Sequence, residues 1–101
     1  MNLAVIVSVS EYQFAPGLPG CKLDAQHMHS MLQLTGRFDD ILVLDRNPST
    51  PEMRAALKSW IRRHKGQLVD EVFWYFTGHG MYYADARFCG REFTPQLLEA
   101  T

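Results

Sequence analysis

Apolar positions along the chain fall into two kinds of pattern, and their order predicts an architecture. Leu3 to Val9 reads Leu-Ala-Val-Ile-Val-Ser-Val, an apolar run rich in β-branched residues, which suits a strand covered on both faces as in a parallel sheet. Ser10 to Gly20 holds Pro16, Gly17, Pro19 and Gly20, a composition that predicts a long surface loop of the kind that often lines a site. From Cys21 the spacing becomes helical. Cys21, Ala25, Met28 and Leu32 form one stripe with Met31 beside it, and Gly36 stands where the helix stops. Asp39 and Asp40 precede a second short apolar strand, Ile41 to Leu44. Thr50, Pro51 and Glu52 predict a second helix start: a hydroxyl cap, a proline at the first helical position, and a carboxylate at the positive end of the dipole. The stripe Met53, Leu57, Trp60, Ile61, His64 carries that helix to Gly66, and Val69 to Phe76 predicts a third strand.

Strand, helix, strand, helix, strand in this order predicts parallel pairing through right-handed crossovers. The expected fold class is α/β, an incomplete three-layer α/β/α sandwich with parallel strands in the order 2-1-3. The third strand should then be an exposed hydrophobic edge that needs cover or pairing. Met81 to Tyr83 and Arg87 to Gly90, around Ala84-Asp85-Ala86, predict a small hairpin, and Pro95 to Thr101 the start of a further helix.

Composition narrows the functional classes. At 101 residues, 47% hydrophobic and 21% charged, the chain is near the lower size limit for a complete doubly wound domain, so one domain or part of one is expected. Ten basic against eleven acidic side chains leave a charge of −1, which gives no electrostatic case for nucleic acid or an anionic membrane as partner. The N-terminal apolar run has no basic leader and falls far short of the roughly 20 residues a membrane helix needs; a cytoplasmic location is expected. There, Cys21 and Cys89 are expected as reduced thiols. His27 and His29, two apart on a helix, point in different directions and cannot readily share a metal; no metal or other cofactor is expected. Neither a Walker lysine loop nor a Gly-x-Gly-x-x-Gly turn is present, which argues against a nucleotide-binding domain. Arg62 to Lys65 is a basic cluster favoured at a helix C-terminus for local reasons. Aromatics on both faces of the third strand, Phe73 to Phe76, read as core and not as a stacking platform for bases.

The candidate chemistry lies where that strand ends. Val72 to Gly80 runs from apolar residues into His79, held between Gly78 and Gly80. An imidazole lifted on such a backbone is how an α/β enzyme offers a general base at its sheet edge, and flanking glycines cost chain entropy without improving packing. No cysteine or serine in a comparable strand-end setting follows, so the chain reads as half of a catalytic site. Two readings of Cys21 stand side by side. It is a reactive thiol, favoured as thiolate at a helix N-terminus over the same sheet end as His79, or a small core residue on the helix stripe. Cys89, on the hairpin, reads as inert. Tyr82 and Tyr83 either rim the cleft or pack the hairpin.

The first-strand run followed by Tyr12, then Leu18-Pro-Gly-Cys-Lys-Leu-Asp-Ala25, and finally Tyr75-Phe-Thr-Gly-His-Gly80 resemble the N-terminal part of a caspase-like cysteine peptidase of the bacterial caspase and metacaspase branch, over about residues 3 to 92. The resemblance implies a caspase-like sandwich in which His79 is the catalytic histidine and the Gly80 N–H serves the oxyanion hole. It assigns Asp24 to the primary specificity pocket, favouring a substrate arginine or lysine with help from Thr77, and puts Cys21 in the pocket wall. The family pattern commonly has asparagine before that aspartate and serine before Gly-His-Gly, where this chain has Leu23 and Thr77. As an alternative, Asp24 is a first-turn carboxylate stabilising its helix.

In that family the catalytic cysteine ends the next core strand, downstream of the histidine. Residues 1–101 are therefore expected to be the N-terminal, large-subunit-like part of one domain, inactive alone. A complementary Cys-bearing segment or subunit would complete it to act on protein or peptide substrates, with self-association through the third strand as fallback. A different class is a non-catalytic scaffold or interaction module that keeps the peptidase fold.

Overall fold

The N-terminal apolar run forms the central strand β1 (Asn2–Ser8) of a three-stranded sheet in a computed structural model that describes residues 1–83 and 85–92, and of residues 81–83 and 85–87 the backbone alone. On either side lie β2 (Asp40–Leu44) and β3 (Glu71–Thr77), both parallel to β1, in the expected order β2-β1-β3. Val5 sits opposite Leu42 on one side and Trp74 on the other. Helix α1 (Gly20–Thr35) covers one face and α2 (Thr50–Arg63) the other. Side chains alternate between them: Leu3, Val5, Val7 and Val9 pack with Met53 and Trp60 of α2, and Ala4 and Ile6 with Ala25 and Leu32 of α1. Burial on both faces is why β1 reads as an apolar run and not as an alternation.

The helix ends differ from expectation by about one residue, with consequences for two side chains. α1 begins at Gly20, and its first turn holds no acidic residue. Asp24 therefore lies beyond the turn over which the dipole acts, and its first-turn reading fails. Gly36 closes α1 at a φ of 63°, the left-handed conformation that favours glycine there. The hydroxyl cap of α2 is Ser49, not Thr50: its Oγ accepts from the Glu52 N–H at 3.2 Å. Thr50 is the first helical residue and Pro51 the second.

β3 starts two residues later than the apolar run suggests, because the preceding stretch is tied elsewhere. The Met1 amino group donates to the Leu68 carbonyl at 2.7 Å and to Asp70 Oδ2 at 3.0 Å. Among the described residues β3 pairs only with β1, and Val72, Phe73 and Trp74 are 55%, 37% and 38% exposed. Phe73 and Trp74 are thus not core residues; they flank an open sheet edge. Tyr75 and Phe76, nearer the strand end, do pack against the two core clusters. The hairpin forms as β4 (Gly80–Tyr83) and β5 (Asp85–Phe88), antiparallel with Gly80 opposite Phe88. Phe88 stacks on Phe76 with ring centroids 4.4 Å apart. The helix expected from Pro95 lies outside the described residues. Among those residues no helix is long and apolar enough to cross a membrane.

Candidate active site

Ligands of open parallel sheets bind beyond the carboxyl ends of the strands, and here the loops leaving β1, β2 and β3 meet at that end. Ser8 and Thr77 are paired across the last rung, and the Val9 N–H donates to the Thr77 carbonyl at 3.0 Å. The loop after β1 therefore leaves beside Gly78 and His79. That loop is folded back by a bond from the Leu18 N–H to the Ser10 carbonyl at 2.7 Å, which carries Pro16 toward the end of β3.

His79 is half-buried, and its Nε2 lies 3.0 Å from the Pro16 carbonyl oxygen. A carbonyl only accepts, so Nε2 carries the proton, and in the neutral ring Nδ1 is the nitrogen able to take one up. The His79 backbone N–H donates to Tyr12 Oη at 2.7 Å, and the Tyr12 ring meets the imidazole edge-on, centroids 4.5 Å apart at 61°. Gly78 is demanded by space: a Cβ there would stand 2.7 Å from Tyr12 Oη and 2.9 Å from Phe76 Cζ. Gly80 is exposed and opens β4. The side chains of Tyr82 and Tyr83 are outside the described set.

Cys89 faces the same knot through its backbone, its N–H donating to the His79 carbonyl at 2.9 Å. Its thiol is buried; burial, then the nearby Glu92 charge, push it above the ordinary value, the protonated state of an unreactive thiol. Cys21 is buried on the inward stripe of α1 with Ala25 and Leu32, and both cysteines are free thiols. Asp24 is exposed on α1, while Thr77 is half-buried at the end of β3. By strand alternation Thr77 shares the face of Tyr75, the α1 face. Asp24, Cys21 and Thr77 thus belong to one side of the sheet, with His79 two residues beyond Thr77. Among the described residues no group of three or more histidine, cysteine or acidic side chains is placed to hold a metal ion.

Four further residues build the site and carried no role in the sequence reading: Tyr12, Pro16, Asn47 and Arg91. Asn47, at a φ of 51° that asparagine tolerates better than most residues, accepts through Oδ1 from the Ser10 N–H at 2.8 Å, the Ser10 hydroxyl at 3.2 Å and the Glu11 N–H at 3.1 Å. Arg91 donates to the Asn47 carbonyl at 3.0 Å and to both oxygens of the Glu52 carboxylate; hydrogen bonds from Arg91 hold that carboxyl below its ordinary range. Main-chain bonds from Arg91 N–H to Pro48 O at 3.1 Å and from Gln13 N–H to Arg91 O at 3.0 Å close the knot. Tyr12 belongs to the motif that carries the resemblance, and Asn47 sits in a turn-forming Asn-Pro-Ser. Nothing local in the sequence pairs either with its partners.

A family model described as the caspase domain, Peptidase_C14, matches residues 1–98. No curated protein and no solved structure matches the chain.

Proposed function

The chain belongs to the caspase domain family of cysteine peptidases, and from that membership we propose that it is the histidine-bearing part of an endopeptidase of the bacterial caspase and metacaspase branch. The observation that carries this reading is the bond from His79 Nε2 to the Pro16 carbonyl at the sheet end. It supports Nδ1 as the base in this reading and gives the imidazolium, once formed, an acceptor for its positive charge. His79 Nδ1 takes the proton of a thiol, and the sulfur bonds to the substrate carbonyl carbon as electrons move to oxygen. The Gly80 N–H stabilises that oxyanion. Collapse breaks the C–N bond, His79 returns its proton to the departing amine, and water then cleaves the thioester with the same base. Asp24 and Thr77 bias the cleft toward arginine or lysine, a carboxylate being the natural partner of either cation.

The nucleophile comes from polypeptide outside residues 1–101. Cys89 is buried and held protonated, and Cys21 packs with the α1 core stripe as a wall residue. The completing segment docks against the edge of β3, where exposed apolar side chains and, among the described residues, the lack of a neighbouring strand call for one. The test is hydrolysis of an arginine-containing fluorogenic peptide by the chain alone and by the chain joined to its Cys-bearing complement. The chain alone should show no turnover. The joined form should be active, should survive alkylation of Cys21, and should lose on the order of 10³-fold or more in rate with His79→Ala. Turnover by residues 1–101 alone, or indifference to His79→Ala, would contradict the reading.

One observation favours a second class. Between α2 and β3 the edge opens into an apolar groove of about 530 Å³ lined by Leu57, Trp60, Ile61, Val72 and Trp74, a surface that suits a non-catalytic interaction module. An unaltered cellular effect on His79→Ala would select that class.

A further inference from the structure

We propose that Tyr12 is the positioning residue of His79, its hydroxyl accepting the histidine's main-chain N–H. The inference rests on the reading of His79 as the base. A phenol has one proton to give. Because the His79 N–H donates to Tyr12 Oη at 2.7 Å, the hydroxyl's own proton is directed to the Cys89 carbonyl, 3.2 Å away. Since the Cys89 N–H in turn donates to the His79 carbonyl at 2.9 Å, three bonds close a ring through Tyr12, His79 and Cys89. Both main-chain groups of His79 are engaged, one by a side chain and one by the base of the hairpin.

The aromatic ring does a second task. It meets the imidazole edge-on and so limits rotation of the ring that Pro16 holds by Nε2. Tyr12 and Pro16 belong to the same folded-back loop, so the phenol sets the distance at which that carbonyl meets the histidine. Burial raises the Tyr12 pKa above its ordinary value, against the lowering effect of the His79 N–H, which keeps the hydroxyl protonated and a donor at neutral pH. Phenylalanine would keep the packing and lose both bonds. Gly78 belongs to the same device, because a methyl group there would occupy the hydroxyl's place.

The test needs no catalytic turnover. In the isotope-labelled chain, Tyr12→Phe should leave the amides of β1 protected while exchange of the His79 amide speeds about tenfold or more. The imidazole nitrogen shifts should move from the Nε2–H tautomer toward a mixture, a signature that general loosening of the fold would not single out at one ring. An unchanged exchange rate and tautomer in Tyr12→Phe would overturn the assignment. Should the variant fail to fold, the wild-type chain decides: a protected His79 amide supports the bond to Tyr12, and one exchanging at the rate of unfolded chain refutes it. An unmoved His79 alongside an inactive His79→Ala peptidase would strike this inference alone. A displaced ring alongside a fully active His79→Ala peptidase would strike the base reading alone.

Discussion

His64 carries a pH dependence that no local pattern announces. Its Nε2 lies 2.7 Å from Asp40 Oδ2 and its Nδ1 2.6 Å from Gln67 Oε1, so both ring nitrogens face acceptors, and only the protonated ring donates to both. The bond to Gln67, then that to Asp40, raise His64 above its ordinary 6.5. For Asp40, burial pushes upward, but bonds from His64 and from Trp60 Nε1 at 2.7 Å outweigh it and leave the carboxyl below its ordinary 3.8. A raised histidine contributes stability that is fully present below 6.5 and is lost as pH climbs through its folded value. A lowered aspartate contributes above 3.8 and loses that contribution as pH falls through its own. The two overlap in mildly acidic solution. Melting temperature measured from about pH 5 to about pH 9 should therefore decline on the alkaline side, and His64→Gln should flatten the decline. An equal slope in wild type and variant would show that other groups govern it.

At the scale of elements, the end of a helix separates what a short window of sequence can reveal from what it cannot. Ser49, Thr50 and Pro51 announce a helix start by composition, yet two adjacent hydroxyls compete for the cap, and only the chain's path decides. Asn47 in its left-handed conformation and the bond from the Thr50 N–H to Glu92 at 3.0 Å set Ser49 as the residue whose Oγ turns back to Glu52. Ser49→Ala should cost about 1 kcal/mol in urea unfolding, and Thr50→Ala distinctly less; equal losses would mean that the two hydroxyls share the cap. The parallel strands were legible for a different reason. A strand covered on both faces must be apolar throughout, and Leu3 to Val9 satisfies that wherever its partners come from. β3 carries a similar composition but stands at an edge, so the same pattern misleads about Phe73 and Trp74. The His-Gly ending of β3 announced the candidate base. Its surroundings did not, since Tyr12 and Pro16 stand 67 and 63 residues from His79, and a hydrogen bond over such a separation leaves no periodicity behind.

For the whole molecule, the sheet ends among the described residues in two edge strands, β2 and β3, and β3 is the one with strongly exposed apolar side chains. β1 is sealed by both helices and both neighbouring strands, with Ala4, Val5, Ile6 and Val7 fully buried, whereas among the described residues β3 has no strand on its outer side, beside Val72, Phe73 and Trp74. A chain of this length has a total stability on the order of 5–15 kcal/mol, of which an uncovered apolar edge forgoes a share. Any strand that pairs there, from the completing segment or from a second copy of the chain, binds the folded state and not the unfolded one, and so raises its apparent stability by mass action. With the chain alone, the second copy is the partner at hand. The melting temperature should accordingly climb with protein concentration, and sedimentation should show association over the same range. Val72→Lys places a charge on a side chain already more than half exposed, where it leaves the core intact but opposes pairing at the edge. That variant should melt at a temperature independent of concentration and sediment as a monomer. A concentration dependence that survives the substitution would move the association to a surface away from both this edge and the groove that Val72 lines.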